Sequence, residues 1–412
     1  MKNNPFSLTF GKEPSQMISR IAQTGEIIDN FTSDNPGQQI YMITGVRGSG
    51  KTVFMTSISK RLQSEDNWII IELNSSGEML KEFAAKLYNI KGMPRKYAAD
   101  GINLSFWGIG VNIKKAEPIT DMETAIERML VHLIKEKKKI LITIDEVYNN
   151  PDMKYFSGTL QLLIRHDYPV FVLMTGLYEN INKLQNEKNL TFLYRAPKIY
   201  LSALNTYRIA DCYEKITGVS KDTAATMARL TKGYSFAFQV FGYFTYKNGS
   251  FEKSMSEITQ YLYEYVYEKL WLELSEKEKK MLEIMTEKNI RDVKSLRDIF
   301  NSGSNEFSIY RDRLIKKGIL DGSRRGYLDF TLPFFEVYIR EINDNYDLEL
   351  SSKLSSLVRE KPFYIDKKSD IAVIKASALR DIMSGYCLYT KKKKDKSVDY
   401  TLLADALDVE TD

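Results

Sequence analysis

The run Gly45-Val46-Arg47-Gly48-Ser49-Gly50-Lys51-Thr52 completes the pattern G-x-x-x-x-G-K-[ST], directly after an apolar run and before an amphipathic stretch. A pattern this demanding leaves little choice of fold around it. An apolar strand must deliver the loop, and a helix must begin where the loop ends, so that the loop amides and the helix's positive end converge on one anion. Glycines let successive N–H groups turn inward on phosphates. Lys51 would reach the β- and γ-phosphates, and Thr52 would offer its hydroxyl to Mg²⁺. The predicted nucleotide-binding residues are therefore Gly45, Val46, Arg47, Gly48, Ser49, Gly50, Lys51, Thr52 and Val53, with ATP and Mg²⁺ as the predicted cofactors.

A second apolar run, Lys139 to Ile144, ends in two acids, Asp145 and Glu146. At the carboxyl end of a strand in the same sheet, Asp145 would hold the metal through water, and Glu146 would polarise a water for attack on the γ-phosphate. Three further apolar runs, Trp68 to Leu73, Val170 to Met174 and Ile199 to Ser202, join Ile40 to Thr44 and Ile140 to Ile144 as predicted strands. Longer amphipathic stretches separate them, which predicts a parallel α/β sheet sandwiched by helices. Two period-two runs, Ile102/Leu104/Phe106 and Ile109/Val111/Ile113, meet at Trp107-Gly108 and predict a hairpin insertion at about 101–113.

With 412 residues, the chain has room for two or three domains of about 150 residues each. After Tyr207 helical spacing takes over, through Ala224 to Phe244 and on to the alternating tyrosines 261, 263, 265 and 267, where Leu262, Glu264 and Leu270 favour helix over strand. Ser275 with Glu278 signals a helix start. Further helices are expected over Val293 to Phe300 and Glu306 to Lys317, and then a hairpin around Asp321 to Gly326, the pattern of a winged helix-turn-helix. The expected domains are a core at 1–202, a helical lid at 203–270, a winged helix at 271–345 and a C-terminal extension at 346–412.

Two cysteines and two histidines are too few for a disulfide framework or a zinc site. No apolar run approaches the roughly 18 residues of a membrane span, so the expectation is a cytoplasmic protein without a membrane partner. The net charge of +5 is mild, so any nucleic-acid role must come from local clustering. Such a cluster exists. Arg311, Arg313, Lys316, Lys317, Arg324 and Arg325 outnumber Asp312 and Asp321 on the third helix and wing, where they would meet the phosphates of double-stranded DNA. The same face would equally serve a protein partner.

The paired acids, the strand ending Leu173-Met174-Thr175-Gly176, and an arginine before the last strand together resemble the AAA+ ATPases over residues 15 to 340. The resemblance is to the branch holding replication initiators and STAND signalling ATPases, where a winged helix follows the lid. It implies an ATP hydrolase with ATP and ADP as ligands, and self-association or a protein partner. By that likeness Thr175 falls at the sensor-1 position, and Arg195, in Tyr194-Arg195-Ala196-Pro197, falls where an arginine finger acts on a neighbour's nucleotide. Phe10-Gly11-Lys12-Glu13 and Arg20 to Phe31 fall in the region near the adenine. The lid departs from the pattern. Where the branch reads Gly-x-Pro, this chain has Gly233-Tyr234-Ser235, and no arginine follows in that helix, which implies slow turnover or a switch, while a finger at Arg195 implies turnover that depends on assembly. Two readings stay open: an ATPase that repositions a DNA-contacting winged helix, and a STAND-like switch whose winged helix makes protein contacts. A small-molecule kinase would have no use for the lid and winged helix.

Overall fold

The computed structural model describes residues 4–9, 14–109, 121–188, 190–300, 304–344, 363–366 and 371–374. The chain divides into two compact units, one spanning 1–281 and 291–334 and the other 282–290 and 335 onward.

In the first unit, β1 (Ile40–Thr44), β2 (Trp68–Asn74), β3 (Lys139–Asp145), β4 (Val170–Gly176) and β5 (Lys198–Tyr200) make one sheet in the order β2-β3-β4-β1-β5, parallel throughout. The strands are apolar runs rather than alternating ones because both faces are covered. Ile40, Met42, Ile140, Ile142, Ile144, Val170, Val172 and Met174 bury into one core. Their neighbours Tyr41, Ile43, Leu141, Phe171 and Leu173 bury into the other. Helices α1 (Ile21–Thr32) and α2 (Lys51–Gln63) close the second core. Helices α3 (Met79–Tyr88), α4 (Met93–Ala99), α5 (Met122–Lys135) and α6 (Pro151–Arg165) close the first. Local signals start the last two: the Asp121 carboxylate accepts from Thr124 N, and Asn150 Oδ1 accepts from Met153 N, with Pro151 opening α6.

The hairpin expected at 101–113 is corrected where the structure describes it. Residues 102–109 carry no strand; a short 3₁₀ turn, Ser105–Trp107, stands there instead. Asn103 accepts the amide of Ser105, and Gly108, at φ 72°, ends the turn. Ile102, Leu104 and Ile109 all fold back into the core, so the alternation records a tight return to one apolar surface rather than a strand. Val111 and Ile113 lie outside the described residues.

Short helices α7 (Tyr178–Gln185) and α8 (Thr191–Tyr194) lead into β5. A helical segment follows: α9 (Thr206–Thr217), α10 (Lys221–Leu230), α11 (Ser235–Asn248), α12 (Phe251–Leu262) and α13 (Glu268–Leu272). The tyrosine-rich stretch is helical, as expected, but Tyr263–Tyr267 is one π-helical turn, with Tyr261 stacked on Tyr265 at 4.2 Å between ring centroids.

Helix α14 (Glu276–Glu287) opens on a reciprocal cap: the Ser275 amide donates to Glu278 Oε2 at 2.8 Å and the Glu278 amide donates to Ser275 Oγ at 3.4 Å. Then come α15 (Val293–Phe300), α16 (Ser304–Lys316), and the antiparallel pair β6 (Leu320–Asp321) and β7 (Asp329–Phe330), with Asp292 bridged to Tyr327 beside them. Phe307 and Leu314 of α16 are buried, whereas Tyr310 and Ile315 are only half-buried. In the second unit, Phe335 stacks on Tyr338, and β8 (Phe363–Asp366) pairs antiparallel with β9 (Ile371–Ile374). No helix among the described residues is long and apolar enough to cross a membrane.

Candidate functional site

The site forms at the carboxyl ends of the strands because the parallel register brings those ends level: Thr44 pairs with Gly176, Ile144 with Met174, and Asn74 with Asp145. The loop from Gly45 to Gly50 turns directly into α2. Gly48 and Gly50 hold φ values of 75° and 88°, which glycine alone adopts without cost. A methyl group placed on Gly48 would lie 2.2 Å from the Tyr234 hydroxyl, so close approach as well as backbone angle demands glycine there.

Beside this loop lies a cavity of about 1100 Å³. Arg47, Gly48, Gly50, Lys51, Thr52 and Val53 line it, with Asp145 and Glu146 facing them. Lys51 Nζ donates to the carbonyls of Gly45 at 3.0 Å and Val46 at 3.1 Å. Burial pushes the Lys51 ammonium down to about 8, against the pull of Asp145. Thr52 Oγ1 donates to Asp145 Oδ2 at 2.8 Å. A hydroxyl and a carboxylate this close, both hard oxygen donors at the mouth of the loop, suit a magnesium ion.

Thr175 Oγ1 donates to the other oxygen of Asp145, and the Glu146 amide donates to Thr175 Oγ1 at 3.1 Å. Thr175 is fully buried and does not line the cavity, so it orients the two acids from behind. Glu146 sits at φ 50°, unusual for a residue with a side chain. Its amide is held by Asp145 and Thr175, and its carbonyl accepts from Ser75 Oγ at 3.3 Å. That bend leaves the carboxylate exposed at the cavity wall.

Arg195, at the end of α8, is exposed and does not line this cavity. It borders a smaller one of about 550 Å³, with Gln161, Gln185, Thr191 and Tyr194. Of the basic cluster, Arg311 pairs with Asp312 at 2.8 Å, Arg313 lies over Tyr310, and Arg324 lies over Tyr327 at 4.1 Å from the ring centre. Lys316 and Arg325 are exposed. Lys317 differs: its side chain is 11% exposed and pairs with Glu179 at 2.9 Å and Glu278 at 2.8 Å, which removes it from any outward surface. Burial raises the Glu278 carboxyl, but the hydrogen bonds from Lys317 and Ser275 outweigh it and hold its pKa below the ordinary value.

Several contacts at the loop carried no signal in the sequence. Tyr234 Oη donates to the Arg47 carbonyl at 2.6 Å, the Phe236 amide donates to the Gly48 carbonyl at 3.1 Å, and Ser235 Oγ donates to the Ser49 carbonyl at 2.9 Å. The start of α11 is thus fastened to the phosphate loop. Arg47 pairs with Glu273 at 3.3 Å. Gly318, after α16, lies against the backbone of Val46: a methyl group there would sit 3.5 Å from Val46 N.

Comparison with known proteins agrees with this geometry. Residues 34–191 match the family model of the AAA domain, and residues 264–339 match a family described only as a domain of unknown function. No curated protein sequence matches the chain. Among solved structures, a Walker-type ATPase of Pyrococcus abyssi superposes with a TM-score of 0.58 at 13% identity, covering 81% of this chain and 99% of that one. The ORC2 protein of Aeropyrum pernix, in its ADPNP and ADP complexes, superposes with a TM-score of 0.52 at 14% identity, covering 82% of this chain and 96% of that one.

Proposed function

We propose that the chain, whose residues 34–191 match the AAA domain and whose fold is shared with a Walker-type ATPase and an ORC2 protein, is an AAA+ ATPase of the replication-initiator-like branch that binds ATP and ADP with magnesium, hydrolyses ATP, and uses its nucleotide state to set the position of a winged helix. On this reading the core is 1–202, the lid 203–270 and the winged helix 271–345. The observation that carries it is the placement of Val46. This phosphate-loop residue meets Gly318 at the end of α16, so a loop that rearranges around phosphates displaces the module that follows.

In the reaction the amides from Gly48 to Val53 and the Lys51 ammonium would hold the phosphates, Thr52 would offer its hydroxyl to magnesium, and Asp145 would hold that ion through water. That ion, when bound, would supply positive charge against the charge developing on the transferred phosphoryl group. Glu146 takes the proton of the attacking water. Thr175 keeps Asp145 and Glu146 in register by the two hydrogen bonds already described.

Arg195 stands outside the cavity and exposed, which fits a guanidinium that completes a neighbour's site in an assembly. Arg195→Ala is therefore expected to keep ATP affinity and lose turnover. Mixing it with Lys51→Ala protein should restore part of the activity, because each assembly then contains intact sites paired with intact fingers. No recovery at assembling concentrations would remove the intersubunit role.

For the output we infer double-stranded DNA, contacted by Arg311, Arg313, Lys316, Arg324 and Arg325, in the cytoplasm. The test is duplex binding against salt with ATP, with ADP and without nucleotide. The expected result is an affinity that falls steeply with salt, by about one power of salt concentration per phosphate contacted, and that shifts between nucleotide states. A second reading is favoured by one observation, the pairing of Lys317, just after α16, with Glu179 of α7, which ties the end of α16 to the ATPase core. It is a STAND-like switch whose winged helix meets protein. Absence of duplex binding in every nucleotide state would select it.

A further inference from the structure

Arg20, the residue before α1, points its guanidinium away from that helix and across the cavity wall. Nε donates to the Ser202 carbonyl at 3.2 Å, and Nη2 reaches the carbonyls of Ser202 and Ser49 and the hydroxyl of Ser235, at 3.1, 3.0 and 3.0 Å. These acceptors come from the segment after β5, the phosphate loop and the start of α11, and all of them are neutral. Among the described residues no carboxylate pairs with Arg20. Burial lowers its pKa to about 10, which leaves it charged at neutral pH. A half-buried guanidinium without a counter-charge is costly, and the cost falls when an anion arrives. Its free edge faces the right place. Arg20 lines the cavity beside Gly50, Lys51 and Thr52, and Nη1 lies 3.7 Å from where a methyl group on Gly50 would sit. The lid offers no substitute, since no arginine follows Ser235 in α11.

We propose that Arg20 is a phosphate-binding residue of this cavity, whose guanidinium takes an oxygen of the nucleotide polyphosphate while its other edge ties the phosphate loop to Ser235 of the lid. The proposal rests on the nucleotide reading above and specifies how the lid senses phosphate in a chain without a lid arginine. An anion drawn to Nη1 competes for the orientation that now satisfies Ser49 and Ser235, so phosphate occupancy is relayed to the first residue of α11.

The test is a calorimetric comparison of adenosine, AMP and ADP on the full chain carrying Arg20→Ala, Arg20→Gln or Arg20→Lys. Arg20→Ala should weaken ADP by about ten- to a hundredfold, the size of one charge-assisted hydrogen bond, and leave adenosine within about twofold. Arg20→Gln keeps donors for the neutral oxygens but no charge, so it should follow Arg20→Ala on ADP. Arg20→Lys should recover part of the loss. Equal losses for adenosine and ADP, or full ADP affinity in Arg20→Gln, would reduce Arg20 to a structural staple and overturn the proposal. Should Arg20→Ala unfold, as read by thermal melting without nucleotide, the Gln and Lys variants decide the matter. Unaltered protein that binds neither ADP nor ATP would fail the nucleotide reading itself, a separate result from selective loss in the variants.

Discussion

Lys51→Ala is expected to abolish nucleotide binding in calorimetry. Lys51 lies inside the loop, where burial has already lowered its pKa, so the ammonium is poorly hydrated and well placed to gain from a phosphate. Its removal deletes charge-assisted hydrogen bonds to two phosphates, worth roughly 1.5–3 kcal/mol each, which converts to about a hundredfold to ten-thousandfold in affinity. The substitution also releases the carbonyls of Gly45 and Val46, which Nζ now holds, so the loop loses part of its set shape. A second readout needs no binding isotherm. ADP at about a hundred times its Kd should raise the stability of the unaltered protein by about 2.7 kcal/mol in thermal unfolding and leave the variant unmoved. Unchanged ATP affinity in Lys51→Ala would contradict the assignment of the loop.

Glu146→Gln is expected to bind ATP normally and hydrolyse it roughly 10²- to 10⁴-fold more slowly, the usual contribution of a positioned general base. The amide matches the carboxylate in length, and the bonds that fix the bend at residue 146 come from backbone atoms, so the fold is untouched. The variant loses only the capacity to accept the proton of water. Single-turnover measurement of phosphate release, with ATP affinity determined in parallel, separates the two effects. Normal turnover would take Glu146 out of its role, whereas lost binding would show that the side chain contributes to the cavity wall rather than to the chemistry.

The sheet was legible because its five strands are short apolar runs punctuated by helical spacing, and burial on both faces leaves no polar alternation to confuse the pattern. The phosphate loop and the acids 145 and 146 were legible for a related reason. Each lies within one stretch of chain, so spacing alone defines it. The reading of 102–113 failed over its described half because a period of two arises whenever alternate residues reach the same apolar surface. Asn103 and Gly108 turn the chain before any partner strand can form. Lys317 reads as one more cation of a basic helix until the fold brings Glu179 to it from another helix. Thr175 was found by likeness to a family, and only the fold shows that it is buried and bonded to Asp145.

Local sequence, then, determined the strand and helix order, the glycine angles of the phosphate loop, and the pairing of a hydroxyl at 52 with a carboxylate at 145. Each follows from steric and hydrogen-bonding preferences that act over a few residues, or from a parallel register that the apolar runs impose. Only the tertiary structure decided what closes over the loop. Arg20 reaches Ser235 across 215 positions of chain, Tyr234 reaches Arg47 across 187, and Glu273 reaches Arg47 across 226. Nothing in the local spacing encodes such meetings. They depend on how α11 and α13 are carried back to the loop, which is a property of the packed first unit.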